Sequence, residues 1–484
     1  MTSKVPARSV RVLFVAVPLV AGGMVALAPL STAQSLNFVK VWSATVTDGS
    51  PISQSSPNVA TLDGMPAVVV GNQGAHIYAF SLGSGAPVPG WPASAGGVPV
   101  GSTPSVAALG PGSPNDTVFV GAGYAGRPHE GGYEAFNPDG ARRWYVAVHN
   151  PGASFVSGVV GSLAVGDLQG STDVVGPSIG EEQDAINAAT GAVLPGFPWF
   201  QADGDYATPA LADLYGNGKT EIIEGGGQTA GNAYGAQYPQ GGHVRVLSVT
   251  GNAGTNNPAG GLECNYNPGQ SVDSSPAVGR FLAGGAEGIV VGTGDFWPGA
   301  PGTDKLVAVS AHCNLVWSTR LDGLTTSSPA LADLDGNGTL AVVEGTNNRH
   351  GGGSIYALNG STGSVLWHQT AAGEVVGSVV TANLGAGYQD VIVAGTGGAE
   401  VLDGRDGHVV AVLEKGVGLQ NSALVTDDPN GTIGITVAGY NAYDQGKVEH
   451  FELAGSNGAD VDQVGSWPMF HHDPRLSGNA EAPI

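Results

Sequence analysis

The sequence has few charged residues, and few of those are basic. Charged residues make up 12% of the 484 residues, and 40 Asp and Glu outnumber 17 Lys and Arg, which gives a net charge of −23. So few basic side chains cannot neutralise a phosphate backbone, and we therefore expect no nucleic-acid partner. The hydrophobic fraction of 42% is too high for a disordered chain. The composition predicts a folded, acidic protein.

Long apolar runs are also missing, except at the N-terminus. Lys4, Arg8 and Arg11 precede an apolar stretch at 12–30, and the small residues "STA" follow at 31–33. This order is typical of an export signal, which we expect to be cleaved after Ala33. The alternative is an N-terminal membrane anchor. We predict a secreted, extracellular protein made of residues 34–484, with no membrane span after cleavage.

Cysteine is nearly absent, since Cys264 and Cys313 are the only two. They lack the C-x-x-C spacing of common zinc sites. In an exported protein, a pair of cysteines is more often bridged than free. We therefore predict a disulfide between them, with free thiols as the alternative.

Familiar catalytic motifs are missing as well. The sequence contains no HExxH, no G-x-S-x-G and no phosphate-binding loop. His471 and His472, beside Asp473, fit either a metal site or a C-terminal tail packed on the fold. Glu181 and Glu182 fall between two predicted strands, where we expect them to be solvated. No local motif indicates a reaction.

The sequence does contain a repeat. A typical copy starts with a small residue, which is followed by Ser or Thr and then usually by Pro. Each start leads into short β-rich runs that are bounded by Gly, Asn and Asp, which is the signal for antiparallel hairpins. A fourth run often carries Trp. Eight copies begin at Ser55, Ser102, Gly161, Ala207, Ser274, Ser327, Gly377 and Asn421.

Four strands per copy are typical of the blade of a β-propeller. We predict an all-β, eight-bladed propeller of four-stranded antiparallel blades in a single domain over 34–484. Seven blades are the alternative, because the copies at 161 and 421 are degenerate. The run "FVKVWSATV" at 38–46 resembles a fourth strand without the first three, so we expect it to complete the last blade. Residues 464–484 are expected to form a closing tail.

Several segments resemble known propeller repeats. "GGSIYALNGSTGSVLW" at 352–367, "NAATGAVLPGFPWF" at 187–200 and "SWPMFHHDPRLSG" at 466–478 resemble quinoprotein-like, PQQ-type propellers. "ADLDGNG" and "ADLYGNGKTEIIEG" resemble the FG-GAP or VCBS repeats of integrin-like heads and many secreted bacterial proteins. The enzymes of the quinoprotein family hold their quinone against a vicinal Cys-Cys pair, which this chain lacks. The resemblance therefore implies the propeller fold but no quinone site, and we predict that PQQ is not a cofactor.

One loop resembles a calcium site. Asp333, Asp335 and Asn337 fit the first, third and fifth ligand positions of a short calcium loop, with glycines that allow the turn. Ala341 stands where a further acid is expected. Asp and Asn beside Gly are also what a plain β-turn requires. A structural calcium ion and an ordinary turn are both open for this loop.

A second loop has the same two interpretations. Asp213, Asn217 and Glu221 fit the first, fifth and ninth positions, while Tyr215 occupies the third. Neither loop has a complete ligand set. We predict a hairpin at both places, with calcium as the possible ion.

Two function classes remain. The first is a non-catalytic, monomeric propeller that binds an extracellular protein or glycan through loops on one face. The longest insertions, 225–242 and 249–269, would carry this function, and Tyr234 and Tyr238 would suit a sugar. The alternative is a carbohydrate-active enzyme such as a polysaccharide lyase. That activity needs clustered positive charge, which 17 Lys and Arg can hardly supply, so we favour the non-catalytic class.

Overall fold

The computed structural model describes residues 35–110, 112–123, 130–149, 157–227, 241–255, 260–415, 417–456, 461, 463 and 465–484. The predicted export signal at 1–33 lies outside this range. Every regular element longer than a turn in the described residues is a β-strand. Among these residues, no helix is long and apolar enough to cross a membrane.

The strands form eight sheets of four antiparallel strands, which we call blades 1 to 8. Blades 1 and 2 contain β2 (Asn58–Leu62), β3 (Met65–Gly71), β4 (His76–Ser81), β5 (Ala93–Ser94), β6 (Ser105–Ala108), β7 (Asp116–Gly123), β8 (Gly131–Phe136) and β9 (Arg142–Ala147). Blades 3 and 4 contain β10 (Ala164–Asp167), β11 (Thr172–Pro177), β12 (Glu182–Asn187), β13 (Trp199–Phe200), β14 (Ala210–Ala212), β15 (Glu221–Gly226), β16 (His243–Ser248) and β17 (Leu262–Tyr266).

The other four blades repeat this order. Blades 5 and 6 contain β18 (Ala277–Leu282), β19 (Ala286–Gly292), β20 (Lys305–Ser310), β21 (Leu315–Arg320), β22 (Ala330–Ala332), β23 (Ala341–Gly345), β24 (Ser354–Asn359) and β25 (Val365–Thr370). Blades 7 and 8 contain β26 (Val380–Ala382), β27 (Asp390–Gly395), β28 (Gly398–Leu402), β29 (Val409–Lys415), β30 (Leu424–Asp427), β31 (Ile433–Tyr440), β32 (Gly446–Leu453) and β1 (Phe38–Thr45).

The N-terminal strand closes the propeller. β1 pairs antiparallel with β32, from Phe38 opposite Leu453 to Thr45 opposite Lys447. The first described strand thus becomes the outer strand of the last blade, and neither end of the ring is left as an open sheet edge. The predicted eight blades and their N-terminal closure are confirmed, and the seven-bladed alternative is wrong.

Among the described residues, tryptophan side chains connect six of the eight pairs of neighbouring blades. The indole N–H of Trp317 in β21 donates to the carbonyl of Gly360 in blade 6, at 2.7 Å, and Trp367 makes the same bond to Gly404 in blade 7, at 2.8 Å. A Cβ on Gly363, whose φ is +69°, would lie 2.6 Å from the Trp317 indole. The Thr-Gly turn of the repeat is therefore the surface on which the preceding tryptophan packs.

A disulfide joins two neighbouring blades. Cys264 in β17 is bonded to Cys313 in the turn between β20 and β21, with the Cα atoms 5.7 Å apart. The predicted bridge is confirmed. It connects blade 4 to blade 5.

The C-terminal segment runs through the centre of the propeller and contacts the inner strand of blade after blade. The Gly465 carbonyl accepts a hydrogen bond from Asp333 N, Trp467 pairs with Thr381, and the Pro468 carbonyl accepts from Val425 N. The segment continues around the axis through bonds from Val106, Val165, Leu211 and Val278 to the carbonyls of Pro474, Arg475, Ser477 and Gly478. We call residues 465–484 the central tail.

Candidate binding face around the central channel

The two faces of the propeller carry different connections. In each blade, the link between the second and third strands and the link from the outer strand to the next blade lie on one face, which we call the upper face. The links between the first and second and between the third and fourth strands lie on the opposite, lower face. This assignment follows from the antiparallel strand order.

A closed ring of hydroxyl groups surrounds the channel at the upper face. One Ser or Thr from each blade donates its backbone N–H to the hydroxyl oxygen from the next blade, at 2.8–3.2 Å. All eight residues are buried. The hydroxyl ring consists of Ser56, Thr103, Ser162, Thr208, Ser275, Ser328, Ser378 and Ser422.

The central tail divides the channel into two cavities. The upper cavity has a volume of about 330 Å³ and is lined by the hydroxyl ring, with Phe470 of the tail at its base. A second cavity of about 530 Å³ lies toward the lower face, lined by inner strands, by Pro474 and by the C-terminal Ile484. A molecule entering from the upper face would thus meet hydroxyl groups first and the tail next.

An acidic pocket opens beside the upper cavity. Its volume is about 240 Å³, and Asp203, Tyr206, Asp273, Phe296 and Trp297 line it. Tyr206 and Asp273 line both the pocket and the upper cavity, so the two spaces adjoin. Tyr206 is 42% exposed and Phe296 is 63% exposed, which leaves large aromatic surface at the mouth of the pocket.

The electrostatics of the pocket are dominated by carboxylates. Burial, followed by repulsion from Asp203 and Asp295, raises the pKa of Asp273 to about 6. Among the described residues, no donor makes a hydrogen bond to the Asp273 carboxylate. A nearby cation, Arg349, is already bonded to Asp295 and Asp304, at 2.9 and 3.0 Å. The Asp273 carboxylate is therefore an acidic group of the pocket without a hydrogen-bonded cation among the described residues.

The pair at 181–182 belongs to the same side of the molecule. Glu181 lies in the turn between β11 and β12 at a φ of +73°, and Glu182 begins β12. They are only 5% and 6% exposed, so the prediction that they are solvated is wrong. Burial, with repulsion from Asp203 and Glu182, raises the pKa of Glu181 to about 7. Glu182 contacts His149, in the connection between β9 and β10, through Oε2 and Nδ1 at 2.7 Å, so the turn packs against a neighbouring upper-face connection.

Three further titratable groups lie beneath the pocket. Asp205, Glu224 and His243 are buried, and their nearest oxygen and nitrogen atoms lie within 4.8 Å of one another. Burial and the nearby Glu224 raise the pKa of Asp205 well above its usual range. Burial and Arg245 lower the pKa of His243 to about 4, so its imidazole is neutral at neutral pH.

The predicted calcium loops lie on the lower face. In the first, the Asp333 carboxylate accepts hydrogen bonds from the backbone N–H groups of Asn337 and Gly338, at 3.0 and 2.7 Å. The Asn337 side chain accepts from Thr339 N at 2.8 Å, and Asp335 is exposed. The carboxylate at the first position thus caps its own turn. Calcium binding here stays a prediction.

The second loop, between β14 and β15, has the same geometry. Asp213 accepts from Asn217 N at 2.9 Å and from Gly218 N at 2.6 Å. Glu221, at the start of β15, is buried and accepts from Leu214 N at 2.9 Å. Burial, with repulsion from Glu263 and Asp213, raises the pKa of Glu221 to about 7. Calcium binding at this loop also stays a prediction.

Parts of both long insertions lie outside the described residues. Tyr234 and Tyr238 fall within 228–240, and residues 256–259 of the second insertion are likewise not described. The prediction that the insertions at 225–242 and 249–269 carry the binding function stays a prediction.

This architecture is similar to that of known β-propeller proteins. A family model described as outer membrane protein assembly factor BamB matches residues 264–433, which is less than half of the chain. No curated protein matches the sequence. BamB from Moraxella catarrhalis is 15% identical over 86% of this chain and 100% of that chain, with a TM-score of 0.53.

Quinoprotein enzymes share the fold to a similar degree. Quinohemoprotein alcohol dehydrogenase from Comamonas testosteroni is 12% identical over 88% of this chain and 78% of that chain, with a TM-score of 0.58. A europium-containing methanol dehydrogenase is 10% identical over 86% of this chain and 93% of that chain, with a TM-score of 0.59. The comparisons support a β-propeller of the PQQ type. At these identities they establish the fold alone.

Proposed function

We propose that this protein is an exported, monomeric, non-catalytic propeller that binds a protein partner through its upper face. In this proposal, the acidic pocket receives a positively charged side chain of the partner. The observation that carries it is the Asp273 carboxylate, which has no hydrogen-bond donor among the described residues and lies where the pocket meets the upper cavity. An unpaired, partly buried carboxylate costs free energy that a cationic partner would recover.

The aromatic residues support the same partner chemistry. Phe296 and Trp297 pack edge to face with their centroids 5.0 Å apart at the mouth of the pocket. An aromatic face beside carboxylates favours Lys or Arg, since cation–π attraction adds to charge pairing. The pocket volume of about 240 Å³ is below the roughly 300–1,000 Å³ typical of whole small-molecule sites. A single side chain from a larger partner fits that size.

Two other observations support parts of the proposal. The matching family model is described as an assembly factor, which favours a protein partner over a reaction. The bridge between Cys264 and Cys313 suits an oxidising compartment outside the cytosol, as the export signal predicts. Export would be tested by N-terminal sequencing of protein recovered from the medium, which should begin near Gln34.

The lower face has a separate, structural role in this proposal. We infer that the Asp333 loop takes a calcium ion, with Asp333, Asp335 and Asn337 among its ligands. An ion there would add to the hydrogen bonds that Asp333 already makes to its own turn. It would stabilise the hairpin and would have no part in partner binding.

The binding proposal is tested with peptides of defined charge. Wild-type protein should bind a Lys-rich peptide and not a Glu-rich one of the same length, and Asp273→Asn should weaken binding by about tenfold or more. Asp335→Asn removes the same charge from the lower face and serves as the matched control. Binding of neutral glycans on an array, with no preference among the peptides, would favour the glycan alternative and contradict the cationic-partner proposal.

A further inference from the structure

The group beneath the acidic pocket is assembled by strand pairing. Glu224 and His243 lie on neighbouring strands of blade 4, where Gly226 is opposite His243 in the register of β15 and β16. Asp205 comes from the connection that leads into the inner strand of the same blade. All three are buried, with Asp205 1% exposed and the other two 0% exposed. Three groups that can each ligate a metal thus converge in the buried interior of the blade.

Most of their polar atoms have no partner. Among the described residues, both imidazole nitrogens of His243, Oδ2 of Asp205 and Oε2 of Glu224 make no hydrogen bond. His243 Nε2 lies 3.3 Å from Glu224 Oε1 without hydrogen-bond geometry, whereas Arg245 Nη1 donates a hydrogen bond to that oxygen at 3.3 Å. Burying a polar group without a hydrogen-bond partner destabilises the folded protein. Several such atoms in one place point to a ligand that they would bind.

A glycine keeps the space between them open. A Cβ on Gly226 would lie 2.8 Å from Cε1 and 2.9 Å from Nε2 of His243, and 3.3 Å from Cγ of Asp205. Any other residue at 226 would push the imidazole and the carboxylate away from each other. The glycine at 226 therefore allows the His243 imidazole and the Asp205 carboxylate to approach each other.

Another buried Asp–His pair shows that the fold can satisfy such residues internally. His450 in β32 contacts Asp428 Oδ2 through Nε2 at 2.8 Å and Thr436 Oγ1 through Nδ1 at 2.9 Å. The pair is as buried as His243 and Glu224 are, but each imidazole nitrogen has a protein partner. The unpaired atoms at His243 are a property of that site, and burial of a histidine in this fold does not by itself cause them.

We propose that Asp205, Glu224 and His243 bind a divalent transition-metal ion of the zinc class. One imidazole and two carboxylates match Zn²⁺, whereas Ca²⁺ and Mg²⁺ prefer oxygen ligands alone. Ligand atoms around a tetrahedral zinc lie about 3.3–3.4 Å apart, and the 3.3 Å between His243 Nε2 and Glu224 Oε1 agrees with that spacing. The ion would leave one coordination position for water or for a group from outside the cluster.

The site lies directly below the acidic pocket. Gly204 and Tyr206, on either side of Asp205, line the pocket, and Gly227 lines it next to Gly226. A bound ion would fix the connection that carries Asp203 and Tyr206 against β15 and β16. The metal proposal does not depend on the proposed partner binding, since its residues are buried below the pocket surface.

Calorimetry on metal-free protein tests the proposal. The exported protein is stripped by dialysis against a chelator and titrated with Zn²⁺ in millimolar Ca²⁺, which saturates any calcium loop. We expect one zinc ion per chain, at least 100-fold weaker binding in His243→Gln and Asp205→Asn, and a zinc-dependent rise in Tm for wild type only. His450→Gln, the matched control at a fully partnered histidine, should bind zinc as wild type does.

A measurement on the wild type alone covers the case in which the buried variants do not fold. X-ray absorption of the zinc-loaded protein should show nitrogen and oxygen ligands at about 2.0–2.1 Å with the signature of a single imidazole. Failure of the wild type to bind stoichiometric zinc, or a spectrum without imidazole, would overturn the proposal. Unchanged zinc affinity in a folded His243→Gln variant would overturn it as well.

Discussion

Aspartates on the two faces of this propeller differ in whether the protein supplies hydrogen bonds to their carboxylates. On the lower face, both oxygens of Asp333 accept backbone hydrogen bonds from its own turn. On the upper face, Asp273 has no hydrogen-bond donor among the described residues, and Asp203 and Asp295 repel it. A carboxylate that is satisfied locally contributes to stability, whereas one that is buried without a partner costs stability. We expect the second kind where a partner binds.

The largest effect should come from a change that affects both faces equally. Deleting residues 36–46 removes β1, which buries Trp42 and pairs with β32 along its whole length. Because this opens the propeller, the protein should lose most of its free energy of unfolding, which is on the order of 5–15 kcal/mol in native proteins. Chemical denaturation measures the loss, with or without calcium.

Val39→Thr is the control for that deletion. Val39 is in the same strand and 49% exposed, so its replacement should change stability little. A shortened chain that unfolds at the wild-type denaturant concentration would show that β1 does not close the propeller in solution.

The next largest effect is a dependence of peptide affinity on pH, which we expect at the upper face. The affinity of the wild type for a Lys-rich peptide should fall as the pH is lowered from 7 to 5, because Asp273, with a pKa of about 6, becomes protonated and loses its charge. The affinity of Asp273→Asn should be low and nearly independent of pH in that range. Fluorescence titration at three pH values distinguishes the two. A wild-type affinity that is constant between pH 7 and 5 would show that Asp273 does not contact the cation.

A smaller effect is expected at the lower face. Asp333→Ala removes two charge-assisted hydrogen bonds to the turn and should destabilise the protein by about 1–3 kcal/mol, with partner binding unchanged. If the loop binds calcium, chelation lowers the Tm of the wild type and has little effect on this variant. Thermal unfolding with and without chelator measures both. A wild-type Tm that does not respond to chelation would return the loop to a plain turn.

The smallest effect has the opposite sign. The pKa of Asp273 is raised in the folded protein from 3.8 to about 6, so this group destabilises the fold above pH 6 and has no such effect below about pH 3.8. Asp273→Asn should therefore stabilise the protein by about 1–2 kcal/mol at pH 7, after allowing for solvent screening, and less at pH 5. Urea unfolding at the two pH values measures the difference.

The contrast between the faces also explains what could be predicted from the sequence. The repeat starts and the Trp-bearing runs are local patterns, and they predicted eight blades and the closing strand. The bridge between Cys264 and Cys313 was predicted from the export signal and from the presence of only two cysteines. The hydroxyl ring was present in the same alignment, because its members are the second residues of the eight starts. Its meaning depends on hydrogen bonds between neighbouring blades, which no single copy contains.

The acidic pocket could not be predicted in this way. Asp203, Asp273 and Asp295 are separated by 70 and 22 residues and meet because three upper-face connections converge at one side of the channel. The burial of Glu181 and Glu182 was missed for the same reason, since it depends on packing between connections. The one local signal was an acidic residue just before two of the repeat starts, in "DGDYATP" and "SVDSSP".

The most direct test of the division between the faces is to measure stability and peptide binding together for Asp273→Asn and Asp333→Ala at pH 7. We predict that Asp273→Asn is more stable than the wild type and binds the Lys-rich peptide at least about tenfold more weakly, while Asp333→Ala is less stable and binds normally. Normal binding by Asp273→Asn, or a loss of binding by folded Asp333→Ala, would contradict the assignment of the upper face as the binding face.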